Sequence, residues 1–357
     1  MFRRTLLASV ALASITWPVG AQQVLEIDLT VGRTVIDDPW RSMGSLDLAV
    51  DRDRAVLYVN DNEEPNGVMA FSLNTGMWIR TIQTQTGDGP YELRQGKTGL
   101  ATALAGGLYV AGVQRVIEFD SLGIAVEHWQ PDAPMRKKVC NFGGEPGIPA
   151  QNGVIRRTPD GMDEGIGPNV VVSHVVNGRT HRDAMDASDL VWTARIACSD
   201  SAAYVVLTYD AGPDSLFVYH MDGRVGRVAV PTDLSEESQA CRERVTTSDG
   251  RILQDDACPI WSRSVYPSVD SRGNILLSGT NDPTVPGAII DPDTGCYAMV
   301  RSSRPDPTVR FARVYQDSAL VFHRDNEVVR QAGRPQVRRI YSGSNRVSLH
   351  PLRPISG

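Results

Sequence analysis

Apolar and polar residues alternate along most of this chain in short runs, and tight turns separate the runs. The clearest stretch has runs at 45–50, 55–60, 67–72 and 77–82, with turns at 51–54 and through Asn74-Thr75-Gly76, and a polar loop at 61–66. Alternation with a period of two places one set of side chains on each face of an extended strand. Each run is therefore expected to be a β-strand, and the short connections make the four an antiparallel meander.

The same order of parts recurs at 99–104, 108–113, 115–120 and 125–129, then at 194–198, 203–209, 215–220 and 225–230. Two further copies run through 265–269, 274–279, 288–290 and 296–300, and through 309–315, 318–323, 336–341 and 346–350. A weaker copy lies between the second and fourth, with 153–157 and 170–176 as its best strands. The glycine of the third turn marks the phase of each copy, at Gly76, Gly123, Gly178, Gly223, Gly295 and Gly343. Four-stranded units recurring at roughly 45–55 residues cannot cover both faces alone and stack in a closed ring. The chain is thus expected to be all-β, a six-bladed β-propeller of four-stranded antiparallel blades, forming one domain over 22–357. The longest interval, between Gly223 and Gly295, holds an insertion at 232–262. There Asp233 with Glu236 resembles a capping box and predicts a short helix between the fourth and fifth blades.

Composition narrows the class. Gly 32 and Pro 22 in 357 residues suit turns and oppose long helices, while 41% apolar and 22% charged residues suit a packed core. Residues 1–21 read as a signal peptide: Arg3 and Arg4 precede an apolar run, and Val19-Gly20-Ala21 supplies the small residues before cleavage. A periplasmic or secreted location follows, with no membrane span once the segment is removed. The net charge of −6, without a basic tract, opposes a nucleic-acid partner. Five cysteines can pair in an oxidising compartment. Cys241 with Cys258 is the expected bridge, because both fall in the insertion, where a crosslink replaces core; Cys198 reads as a small buried apolar residue.

Two segments carry a resemblance. Leu57-Tyr-Val-Asn-Asp-Asn62 followed by Gly67-Val-Met-Ala-Phe71 resembles the NHL-type strand pair. Gly87-Asp-Gly-Pro-Tyr-Glu-Leu93 resembles the G-x-G-P-x-E-[F/L] motif of bacterial exported six-bladed propellers of the TolB-like class, with Tyr91 where that group carries glycine. The resemblance implies an envelope protein and leaves its activity open.

In such a blade the inter-blade connection and the loop between second and third strands share one face. Glu92, Asp61, Asn62, Asp210, Asn281 and Asp282 all fall on that face and are the candidate ligand contacts. Glu92 has a second reading, as a latch whose carboxylate accepts from backbone N–H groups while Gly87 and Gly89 allow close approach. The chain has no G-x-S-x-G elbow, H-E-x-x-H, P-loop or helix-opening G-x-G-x-x-G. His128, His174, His220 and His323 sit in or beside strands and read as packing or surface residues. Fragments of calcium loops occur at 160–164 and 291–295, although Asp291-Pro-Asp-Thr-Gly295 is equally a hairpin turn. Trp78 and Trp129, on expected outer strands, read as seals between blades.

The resulting expectation is a monomeric, exported propeller that binds a protein, glycan or small ligand through its loop-rich face, with no cofactor or, as the alternative, Ca²⁺ or another divalent ion. The alternative is a metal-dependent hydrolase of lactonase or esterase type, or a lyase, with carboxylates and amides converging at the channel mouth.

Overall fold

The computed structural model describes residues 23–38, 43–61, 67–94, 99–132, 138–150, 153–167, 174–176, 179–181, 194–207, 215–231, 261–280, 284–304, 309–324 and 344–355. Strands β1 (Gln23–Ile27) and β2 (Arg33–Asp37) come first. The first meander is β3 (Met43–Asp51), β4 (Val56–Asp61), β5 (Gly67–Ser72) and β6 (Trp78–Gln83), and the second is β7 (Gly99–Thr102), β8 (Leu108–Ala111), β9 (Val116–Phe119) and β10 (Ala125–Trp129). The third is β11 (Cys140–Phe142), β12 (Glu145–Ala150), β13 (Gly153–Arg157) and β14 (Asp163–Ile166), followed by a hairpin of β15 (His174–Val176) and β16 (Arg179–His181). The fourth is β17 (Ala194–Cys198), β18 (Ala202–Leu207), β19 (Ser215–His220) and β20 (Val225–Ala229). The fifth is β21 (Trp261–Val269), β22 (Ile275–Thr280), β23 (Gly287–Ile290) and β24 (Tyr297–Ser302); β25 (Val309–Tyr315), β26 (Ser318–Arg324) and β27 (Ser344–Pro354) close the chain.

Every meander is antiparallel between successive strands. The turn glycines follow the expected pattern where they are described: Gly76, Gly123, Gly223 and Gly295 have φ of 72°, 82°, 86° and 72°. Gly76 is also required by space, because a Cβ there would stand 1.6 Å from the carbonyl oxygen of Val35. Gly178 and Gly343 lie outside the described residues.

Sheet pairing departs from six separate blades. The described strands form four sheets of four or more strands: three discrete four-stranded sheets and one 13-stranded sheet. Fusion has a local cause, since β1 pairs in parallel with β24 and antiparallel with β27, while Ser344 of β27 bridges Met43 of β3. The last group also differs from expectation. Residues 344–354 supply its third strand, and its fourth is β2, from the opposite end of the sequence. The expected strand at 336–341 lies outside the described residues.

The third copy is corrected as well. Its strands span 140–166, and its third turn is at Gly161, with φ of 84°, in place of Gly178. Strand β12 is masked in the sequence by Pro146, Gly147 and Pro149, yet its residues 146–149 are all buried. The insertion at 232–260 lies outside the described residues, so the helix expected there has no counterpart among them; the one helical turn described is the 3₁₀ segment Leu104–Gly106. No helix among the described residues is long and apolar enough to cross a membrane.

Apolar side chains form cores between successive sheets. One core joins the first and second meanders through residues such as Tyr58, Ile82, Leu108 and Ile117. Others join the second to the third, the third to the fourth, and the fourth to the fifth. Beyond these, Val300 and Leu276 pack with Val321 and Ala319, and Phe322, Leu320 and Val347 pack with Met43, Leu57 and Phe71. The packing therefore returns to its start, and the protein is a closed, all-β propeller. Burying each large aliphatic or aromatic side chain contributes about 1.5–3 kcal/mol, which makes these interfaces the main source of stability.

Candidate functional site

The first strands of the meanders lie innermost: β3 packs on β7, β7 on β11, β11 on β17, β17 on β21, and β25 on both β22 and β3. Side chains on these strands meet near the axis. The focus is Tyr266-Pro267 of β21. The Arg195 guanidinium, from β17, stands 5.4 Å from the centre of the Tyr266 ring. The Lys138 ammonium, two residues before β11, stands 5.6 Å from the same centre. Three meanders thus meet at one ring, two of them not adjacent, which places the ring at the axis. Arg313 of β25 extends the contact, donating to the Pro267 carbonyl at 3.5 Å and to the Leu48 carbonyl of β3 at 3.2 Å.

Local structure explains these positions. A bulge between Phe311 and Arg313 resets the alternation of β25, putting Arg313 opposite Leu320. Arg195 pairs with Val206, on the side of its sheet facing the fifth meander. Lys138, Arg195, Tyr266 and Arg313 are all half-buried. The carbonyls of Pro267 and Leu48 accept from Arg313 and orient its guanidinium. Cations held over an aromatic face gain from the ring quadrupole and from exclusion of water.

Of the expected contacts, Glu92 and Asp61 fall among the described residues. Glu92 lies in the connection from β6 to β7 and bends into its own loop, where its Oε2 accepts from the Gly89 N–H at 2.7 Å. Gly87 and Gly89 leave room for the folded-back carboxylate, because a Cβ on Gly87 would meet Glu92 Oε2 at 2.0 Å and displace it; neither has positive φ. Arg115 of the second meander clasps this loop, donating to the carbonyls of Gly89 and Glu92. Asp61 ends β4, while Asn62, Asp210, Asn281, Asp282, Cys241 and Cys258 lie outside the described residues.

Cysteine pairing differs from the reading of Cys198 as a small apolar residue. Cys198 is bonded to Cys140, with 5.5 Å between Cα atoms, so the bridge joins β11 to β17; Cys296 is a free thiol. Near-coincidence of two inner strands 58 positions apart has no local sequence signal.

The other carboxylates singled out in the sequence serve turns and joints. Asp291 accepts from the N–H of Asp293 at 2.9 Å and the Thr294 hydroxyl at 2.7 Å, as a hairpin turn requires. Asp163 accepts from Trp129 Nε1 at 2.8 Å, so buried Trp129 does seal the second meander to the third. Trp78 does not match the expected seal, being 47% exposed. The second and third meanders also share an ion cluster around buried Arg157, which lies 2.9 Å from both Glu145 and exposed Glu127 and 4.0 Å from Glu118. Burial pushes the Glu118 carboxyl above its ordinary range.

Histidines form one network that sequence spacing did not disclose. Ser348 Oγ lies 2.6 Å from His323 Nε2 and 2.7 Å from His350 Nε2, and His350 Nδ1 lies 3.2 Å from the Asp28 carbonyl oxygen. It ties β26 and β27 to the turn after β1. Among the described residues no group of three or more His, Cys, Asp or Glu is placed to hold a metal ion.

No family model matches the chain, and no curated protein matches it. Similar solved structures include a gluconolactonase from Xanthomonas campestris, with 13% identity over 89% of this chain and 88% of that one and a TM-score of 0.47. A catalytically inactive virginiamycin B lyase from Staphylococcus aureus with quinupristin has 10% identity over 90% and 99%, at 0.47. The calcium-binding protein regucalcin from Agrobacterium tumefaciens has 11% identity over 94% and 96%, at 0.46.

Proposed function

We propose that this chain is an exported six-bladed propeller that binds a protein, glycan or small ligand without transforming it. The site is the channel and the face where its innermost strands begin. The observation that carries this reading is the meeting of Lys138, Arg195 and Tyr266, from three separate meanders, at one point near the axis. A binding site assembled this way exists only in the closed ring. The six-blade reading is supported by the sequence of apolar cores round the ring, with β25, β26, β27 and β2 as the closing blade. Asp61, Asn62, Glu92, Asp210, Asn281 and Asp282 are proposed as the rim of the same face. The Cys140–Cys198 bridge accords with an oxidising compartment and hence with export of the chain past residues 1–21.

Equilibrium dialysis of the mature protein against a mixture of sugars, sugar acids and lactones, read by mass spectrometry, tests the reading. Ligand retained chemically unchanged, and lost in Tyr266→Ala, is the expected result. Product accumulating over many turnovers, and abolished by a chelator, would instead establish the metal-dependent hydrolase or lyase.

A further inference from the structure

We infer that His323, Ser348 and His350 form an acid-released latch on strand β2, the outer strand of the closing group, so that protonation frees β2 and the turn before it from β27. Strand β27 holds both sides of that turn: its residues 346–349 pair with β2, and its residues 352–354 pair with β1. His350 stands between the two stretches. Its Nδ1 lies 3.2 Å from the Asp28 carbonyl oxygen, and its ring packs against Gly32, where a Cβ would stand 2.3 Å from the same nitrogen. One side chain therefore clamps the turn at 28 and at 32. Strand β1 has a second anchor in its parallel pairing with β24, whereas among the described strands β2 pairs with β27 alone. Release of β2 also reaches the neighbouring meander, because Arg33 of β2 donates to the carbonyls of Leu73 and Asn74. Losing that strand unfastens the seam at which the ring closes.

The latch responds to acid because its hydrogen bonds run in one direction. Arg346 at one end can only donate, and the Asp28 carbonyl at the other can only accept. Between them His323 Nε2–H donates to Ser348 Oγ, and Ser348 donates to His350 Nε2. A proton added at His350 Nε2 turns that acceptor into a donor, and the hydroxyl proton of buried Ser348 loses its acceptor. A proton added at His323 Nδ1 faces the Arg346 guanidinium instead. The new charge also arrives among cations. Arg304 acts on His350 directly, Arg346 lies on β27 next to His323, and Arg353 follows on the same strand. Asp28 is the carboxylate that opposes them, and it is already engaged by Thr30 and, at 3.6 Å, by Arg353. On β2, Asp37 pairs across with Arg346 and Arg33 with Leu349. Burial, the largest influence on His350, already disfavours its charged form.

Hydrogen–deuterium exchange of the wild-type protein at pH 7.5 and pH 5 tests the latch, read by mass spectrometry and corrected for the intrinsic dependence of exchange on pH. Protection at 28–37 and 346–350 should fall roughly tenfold at pH 5, as local opening coupled to one proton requires, while 23–27, 99–129 and 215–229 keep theirs. In His350→Gln, with circular dichroism reporting that it is folded, protection at 28–37 should be the same at both pH values. A second measurement needs no variant: nuclear magnetic resonance of the wild type labelled with ¹⁵N-histidine should show a neutral ring protonated at Nδ1 at pH 7.5. That ring should titrate over the pH range in which protection at 28–37 is lost. Unchanged protection at 28–37, or equal loss at 99–129 and 215–229, overturns the inference. So does loss that persists undiminished in folded His350→Gln, or the absence of a ring protonated at Nδ1.

Discussion

His350 shows how much one buried side chain can determine. Its Nδ1 faces the Asp28 carbonyl, which can only accept, so Nδ1 carries the proton and Nε2 offers a lone pair. Ser348 therefore donates to His350 Nε2 and accepts from His323 Nε2–H, and His323 Nδ1 accepts from Arg346 at 3.1 Å. Both rings are neutral in this arrangement. Burial drives the His350 pKa below the ordinary 6.5, opposed by the Asp28 backbone and carboxylate and helped by Arg304. The unfolded chain then binds more protons than the folded one at mildly acid pH. The contribution is complete above 6.5 and is lost as pH falls through the lower folded value. Urea unfolding of the wild type between pH 7.5 and 5 should show falling stability, and His350→Gln should flatten that fall; parallel curves would contradict the assignment. In sequence His323 read alone, as a packing or surface residue in or beside a strand, because the bond network depends on β27 meeting the turn at Asp28. By contrast, Gly76, Gly123, Gly223 and Gly295 were legible, since a tight hairpin demands positive φ locally.

At the scale of elements, alternation located most strands to within a residue or two, and it failed where pairing partners or side-chain identity broke the pattern. Strand β12 carries two prolines and a glycine, and only burial against its neighbours makes it a strand. Strand β2 was not assigned to the closing group, because a partner more than 300 residues away leaves no local signal; its register runs from Arg33 with Leu349 to Asp37 with Arg346. The inner-strand bridge was hidden for the same reason. Cys140–Cys198 closes a loop of 58 positions, for which chain entropy gives a stabilisation of about 4 kcal/mol. Cys140→Ala with Cys198→Ala should lower the free energy of unfolding by up to about that amount in denaturant titration. Equal stability of reduced and oxidised protein would show that the bridge constrains nothing in the unfolded chain.

For the molecule as a whole, closure sets what meets at the axis. The first strands converge only because the packing that begins at β3 returns to it through β25, β26 and β27. Periodicity made the ring legible, but it could not show which side chains would point to the axis. Arg195 and Lys138 are ordinary surface-type residues in a linear reading, and Tyr266 sits in a strand beside a proline. Their meeting depends on three meanders being held at fixed angles about one axis. The reading from loops named acidic and amide residues on the rim, whereas the residues that meet at Tyr266 come from the inner strands and their approaches. The most direct test is a crystal structure of the mature protein grown with the ligand that equilibrium dialysis retains. The account predicts ligand density in the channel against Tyr266, beside Arg195 and Lys138. Density confined to the outer loops, or a metal ion held by carboxylates at the channel mouth, would contradict it.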